Sequence, residues 1–198
     1  MRFVSPALVL IAALMLQTPA AHATPMTFVG HLSGLNEVPA NNSPGTGLAT
    51  VILDPVAQTL QVNATFSGLT SNDVAAHIHC CAPLGTNVGV ATTLPAFPGF
   101  PLGVTAGTYS SVVFNLTQST IYNPGFVTLE GGLAQAEAAL IAGIEGGQTY
   151  FNIHTVNVGS GEIRSQLSPA PEPGSLVILG SALLGFGLIR RRKLTLRS

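Results

Sequence analysis

Between Leu60 and Phe66 apolar and polar residues alternate without a break. Leu60, Val62, Ala64 and Phe66 fall on one side of an extended chain, and Gln61, Asn63 and Thr65 on the other. A period of two is the signature of a half-buried strand. Less regular alternation recurs over residues 27–32, 47–53, 74–79, 109–116, 150–155 and 162–167, and Gly or Pro punctuates the chain about every ten residues. About seven or eight short strands spaced in this way predict a mostly β chain, built as an antiparallel Greek-key-like β-sandwich. One segment departs from the pattern. Residues 133–144 are rich in Ala and put Leu133, Ala136, Leu140, Ile141 and Ile144 on one side of a short helix that Gly146-Gly147 ends. The helix is expected to cross an end or edge of the sandwich, and the Pro- and Gly-rich stretch 94–107 to form a long surface loop.

The two ends follow neither period. Arg2, the apolar run from Ala7 to Leu16 and the small residues Ala21 and Ala23 read as a secretory signal peptide over 1–23, a short signal helix cut after Ala23. A run of that length is too short to cross a hydrocarbon core of about 30 Å. At the other end Pro171-Glu172-Pro173 is followed by an uncharged apolar helix over 175–189 and by Arg190, Arg191, Arg192 and Lys193. At about 1.5 Å per residue such a helix covers ~22 Å, a marginal span. Its basic end should stay cytoplasmic, which places the preceding domain outside. The chain thus divides into a signal peptide (1–23), one domain (24–167), and a linker with a membrane-directed tail (168–198).

Composition sharpens this division. Charged residues make up only 8% of the chain, and the mean hydropathy is +0.48 with a formal net charge of −1. Between Thr24 and Ser168, however, seven acids (Glu37, Asp54, Asp73, Glu130, Glu137, Glu145 and Glu162) stand against the single base Arg164, a net charge of −6. An acidic domain has little with which to neutralise phosphates, so nucleic-acid binding is excluded.

Carrying the alternation through three of the strands collects a polar set on outer faces. With Val74, Ala76 and Ile78 toward the core, Ala75, His77 and His79 point away; with Phe151 and Ile153 inward, Tyr150, Asn152 and His154 point away; Glu162 and Arg164 do the same around Ile163. His-x-His on a strand sets two imidazoles about 7 Å apart on one side. A third from a neighbouring strand, His154, would complete a site for one Zn or Cu ion. The plainer alternative is that His77, His79 and His154 hydrogen-bond to backbone and acids as a polar layer. Arg164 is expected in a structural ion pair with Glu162 or Glu37. No carboxylate pair in a cleft is evident, so no residue is assigned a catalytic role. Cys80 and Cys81 directly follow the histidines in an oxidising compartment. They are open to a strained vicinal disulfide, to interchain bonding, or to thiolates joining the histidines on a soft metal, with a Cys-His nucleophile a weaker fourth option.

These residues also carry a family resemblance. Leu35-Asn36-Glu37-Val38-Pro39, Ala76-His77-Ile78-His79, Tyr150-Phe151-Asn152-Ile153-His154-Thr155 and Gly161-Glu162-Ile163-Arg164-Ser165-Gln166-Leu167 resemble the successive motifs of the CHRD domain, named for chordin and common in bacterial secreted proteins. Where that family has Gly after His-x-His and after the Arg of its last motif, this chain has Cys80 and Ser165, so no thiol chemistry follows from the resemblance. The tail resembles a PEP-CTERM sorting signal. That implies recognition by an exosortase-type processing enzyme after passage through the export machinery, transient inner-membrane anchoring, and a final place in the envelope or extracellular matrix of a Gram-negative bacterium. His-x-His in a Greek-key sandwich also resembles copper–zinc superoxide dismutase. That enzyme's two-metal site uses six histidines and an aspartate, whereas His31, His77, His79 and His154 are all that remain here after cleavage. Two functions are therefore expected in turn: a non-catalytic binding or structural component that meets exopolysaccharide or envelope proteins, and a metal-binding module with redox activity.

Overall fold

The computed structural model describes residues 24–171; the signal peptide with Ala21 and Ala23, and the tail from Glu172 and Pro173 through Arg190, Arg191 and Arg192, lie outside the described residues. Among the described residues no helix is long and apolar enough to cross a membrane. The strands are β1 (Met26–Ser33), β2 (Thr46–Asp54), β3 (Thr59–Ser67), β4 (Asp73–Cys80), β5 (Gly107–Ser110), β6 (Phe114–Asn115), β7 (Thr149–Thr155), β8 (Ile163–Gln166) and β9 (Ser168–Pro169), with helices α1 (Pro124–Glu130) and α2 (Leu133–Glu145) between β6 and β7. The mostly β, antiparallel class is as the alternation predicts. Strands that a sandwich would divide between two sheets are here bonded into one sheet, ordered β4-β7-β8-β1-β2-β3-β5, which curls into a half-barrel.

The core fills the inner face. Phe28, Leu32, Ala49, Val51, Leu53, Leu60, Val62, Ala64, Phe66, Ala76, Ile78, Phe151, Ile153 and Ile163 are all buried, at alternate positions of their strands. The stretch 94–107 is more than a surface loop, because it returns Phe97 and Phe100 to this core, where Phe97 lies 6.3 Å from Phe151 between ring centroids and parallel to it. The expected strand over 109–116 is split. Ser111 breaks it by taking the Val62 N–H on its hydroxyl and giving its own hydrogen to the Val112 carbonyl, which leaves Val112 and Val113 exposed. A second helix, α1, was not expected. Its signals are local: Asn123 caps the Gly125 N–H, Pro124 opens the first turn, and Gly131 ends it at φ 89°.

Two features orient the molecule. The segment read as a linker begins as part of the sheet, since Ser168 and Pro169 pair with Val29 and Phe28 and the Ala170 N–H bonds to the Thr27 carbonyl. The chain therefore enters β1 and leaves toward Pro171 along one edge. Arg164 pairs with Ser33 at the other end of β1, so the row of residues level with Arg164 stands about 23 Å from that exit, seven residues along a strand.

Candidate metal centre

The register of three strands builds the site. On the face turned from the core, Ala75, His77 and His79 of β4 stand opposite His154, Asn152 and Tyr150 of β7, and Asn152 and Tyr150 stand opposite Arg164 and Gln166 of β8. Asn152 is the middle of this grid, with His77 and Arg164 beside it and Tyr150 and His154 before and after it on its own side of the strand. A bulge between Asp73 and Ala75 shifts the start of β4 and leaves Val74 exposed, not in the core as alternation requires.

The histidines are on the expected face but do not form an open polar layer. His77 is 3% and His79 7% exposed, and His154 is half-buried. β4 ends the strand order, and its free edge is closed by residues 89–96: Cys80 N–H bonds to Gly89 O, Ala91 N–H to Ile78 O, and Ala76 N–H to Pro95 O. This covering segment and two neighbouring loops also set the imidazoles. His77 Nδ1 faces Pro95 O at 3.1 Å, His79 Nδ1 faces Val88 O at 2.7 Å, and His154 Nδ1 faces Gly159 O at 3.0 Å. A carbonyl can only accept, so each Nδ1 carries the hydrogen and each Nε2 keeps its lone pair.

Those three lone pairs converge. The ligand atoms of His77, His79 and His154 lie within 4.8 Å of one another, and the Nε2 atoms of His77 and His154 are 3.0 Å apart. His79 Nε2 is buried without a hydrogen-bond partner. Burial pushes His77 down to about 3, helped by the charge that His79 and His154 would carry. Burial likewise takes His79 down to about 4 against the pull of the Val88 carbonyl, with His154 and Arg164 adding to the effect. His154 is lowered by burial, opposed by Gly159 O. All three are thus neutral at pH 7, and two acceptors face each other with no hydrogen between them. A cation between them would resolve this. Zn–N bonds of about 2.0–2.1 Å put tetrahedral ligands ~3.3 Å apart, so the widest gap closes by at most ~1.5 Å. Backbone carbonyls on the far nitrogens are the outer partners that metal-bound imidazoles commonly have.

Arg164 is clamped beside the histidines. Its Nε donates to Asn36 O at 2.7 Å and its Nη1 to Asn87 Oδ1 at 2.7 Å, while Asn36 Nδ2 returns a bond to Arg164 O at 3.0 Å. The guanidinium carbon lies 4.4 Å from the centre of the Tyr150 ring, whose other neighbour is the His79 ring, 4.5 Å away and tilted by only 9°. Of its two expected carboxylate partners Arg164 meets Glu37, at 3.9 Å from Nε. Glu162 is elsewhere. It precedes β8 at Gly161, whose φ of 124° turns the chain, so strand alternation does not reach it. Its carboxylate accepts from Ser43 Oγ at 2.6 Å, from Thr70 N at 2.7 Å, from Thr70 Oγ1 at 2.9 Å and from Thr155 Oγ1.

Cys80 and Cys81 form a vicinal disulfide. The thiolate reading fails on direction, because Cys80 follows His79 on the strand and so faces the core, where both sulfurs approach the Ala139 carbonyl of α2. His31 is exposed on β1 and lies outside the cluster. No sequence signal assigns a role to Asn152, Tyr150 or Gly161. Alternation did place Tyr150 and Asn152 on the correct face, while the three carbonyls that orient the imidazoles have no side-chain signature.

Two families match the chain. The CHRD domain matches residues 28–167, and the PEP-CTERM protein-sorting motif matches residues 169–193. No curated protein and no solved structure matches it.

Proposed function

Because this chain belongs to the CHRD-domain family and ends in a PEP-CTERM sorting motif, we propose that it carries a bound transition-metal ion to the place where it is sorted, held by His77, His79 and His154. The motif implies export, membrane-associated sorting in Gram-negative bacteria and recognition by an exosortase. The metal reading rests on one observation: three imidazoles, each locked by a carbonyl at Nδ1, bring ligand atoms within 4.8 Å of one another. Neutral nitrogen ligands suit Zn and Cu. Three of them without an anionic ligand suit a replaceable ion or one with an open position, not a closed structural site. The ion would sit near the end of β1 that is far from Pro171.

Elemental analysis of the purified protein after dialysis against Zn(II) or Cu(II) tests this. About one equivalent is expected in the wild type and less than ~0.1 in a His77→Ala/His79→Ala variant, since two of three ligands are gone. Equal and negligible metal in both proteins would leave the domain as a binding or structural component of the envelope, with the histidines as packing.

A further inference from the structure

Two more acceptors on this face are buried without a partner. Among the described residues five buried side-chain polar atoms lack a hydrogen bond, and three of them, His79 Nε2, Asn152 Oδ1 and Glu37 Oε1, belong to the same corner of the fold. Buried polar atoms are nearly always satisfied, so a cluster of orphans marks a place where a partner belongs. Asn152 is only 2% exposed and Glu37 7%. Gly161 borders the last two: a Cβ on it would stand 2.9 Å from Asn152 Oδ1 and 2.9 Å from Glu37 Oε1, and 2.6 Å from Asn152 Nδ2, which puts the two oxygens no more than about 5.8 Å apart. Only glycine leaves that corner free. Asn152 in turn is the cross-strand partner of His77 and lies two residues before His154 on its side of β7, so the acceptor corner adjoins the point on which the imidazoles converge.

Resting on the metal reading above, we propose that Asn152 Oδ1 and Glu37 Oε1 take the two hydrogens of a water molecule held on the ion, so that the centre is an open one built to present a water-derived oxygen. Three protein ligands leave the fourth position of a tetrahedral ion free, and a neutral oxygen donor with two hydrogens satisfies both acceptors at once. Glu37 is the carboxylate placed to receive a proton from that water. The charged and titratable groups that face it are Arg164 from β8 and Tyr150 from β7. Such a centre serves hydration or hydrolysis, in which the ion lowers the pKa of its water. A Glu37 hydroxyl bonded directly to Asn152 would satisfy the same atoms with no water, and the experiment separates the two.

Co(II) replaces the ion in the full exported protein, and its visible spectrum is followed on adding azide and from about pH 6 to 9, where ion-bound water ionises. In the wild type one equivalent binds, azide changes the bands, and a pH transition is seen. In Glu37→Gln one equivalent still binds, but the transition falls by about half a unit or more, because a like charge beside the forming hydroxide has been removed. Asn152→Ser, which keeps a hydroxyl acceptor but displaces it, shifts the transition less. No cobalt uptake by the wild type would sink the metal reading and this inference with it. Uptake without an azide response, or a transition unmoved by Glu37→Gln, would leave the metal reading standing and overturn the acceptor pair alone.

Discussion

Glu162 and Glu37 are both buried carboxylates beside β8, 0% and 7% exposed, and they are solved in opposite ways. Around Glu162 the fold brings four donors from Ser43, Thr70 and Thr155. Burial alone would raise its pKa, but these bonds outweigh it and hold the carboxyl below its usual range. Around Glu37 the fold offers one cation at 3.9 Å and leaves an oxygen with nothing, and burial carries it up to about 7. The difference separates two uses of buried polarity. A saturated carboxylate ties β8 to the loops after β1 and β3 and has no capacity left for a ligand. An unsaturated one, next to unsaturated His79 and Asn152, costs stability that the rest of the core must offset, as is usual at functional sites.

The comparison breaks most easily at its stable end. Glu162→Gln keeps the shape, removes the charge and turns an NH2 toward donors, so several buried donors lose their acceptor. Unsatisfied buried groups cost about 1–3 kcal/mol each, and a loss above ~3 kcal/mol is expected in urea unfolding. Glu37→Gln removes a charge with no full partner and should change stability by ~1 kcal/mol or less. Equal losses in the two variants would show that the contrast in hydrogen bonding carries no energetic weight.

A pair of glycines sharpens the same contrast at smaller cost. A Cβ on Gly143 of α2 would stand 2.5 Å from Cys80 Sγ and 2.7 Å from Cys81 Sγ, so Gly143→Ala should push α2 off the disulfide at about 1–3 kcal/mol, a typical overpacking cost. Gly161→Ala meets the Asn152 amide and Glu37 instead, at a backbone φ of 124° that favours glycine. Its stability loss should be similar, but it alone should also weaken metal binding, by about tenfold as for other outer partners of a ligand. Metal titration of both variants checks this, and a matching loss of affinity in Gly143→Ala would remove the distinction.

How much of this could be read from the chain depends on how local each cause is. The side on which His77, His79 and His154 lie follows from alternation, and strand existence from the same signal. Which strands adjoin does not, because β4 meets β7 across a separation of about seventy residues with no local mark of the pairing. Glu162 looked like the partner of Arg164 because two residues of a strand share a side. The strand starts only at Ile163, and the true partners, Ser43 and Thr70, are set by loops. Phe97 and Phe100 were hidden by the Pro and Gly around them, which mark irregular backbone but say nothing of whether it dives into the core. The tautomer locks are backbone carbonyls, which every residue possesses, so only the folded chain can select Val88, Pro95 and Gly159.

The pH dependence of stability is where the two kinds of site pull apart in sign. His77 and His79 titrate at 6.5 when unfolded and at about 3 and about 4 when folded. Below 6.5 the unfolded chain therefore takes up protons first, and stability falls with pH until the folded values are reached. Glu37 does the reverse. Its folded value of about 7 exceeds 4.5, so between those limits the folded state binds the extra proton, and this group's contribution grows as pH falls. Glu162, lowered from 4.5, is fully stabilising above that value and loses its contribution below it. In metal-free protein the unfolding midpoint should thus drop gently from pH 7 to 5, where two histidines outweigh one carboxyl, and steeply below 4.5, where Glu162 protonates and Glu37 no longer offsets the histidines. Glu37→Gln should steepen the upper part, and His77→Ala/His79→Ala should flatten or invert it and also soften the lower part, leaving there the share that Glu162 contributes. Thermal midpoints in chelator across that range decide it, and an upper slope untouched by the histidine substitutions would mean that those imidazoles are not held neutral by the fold.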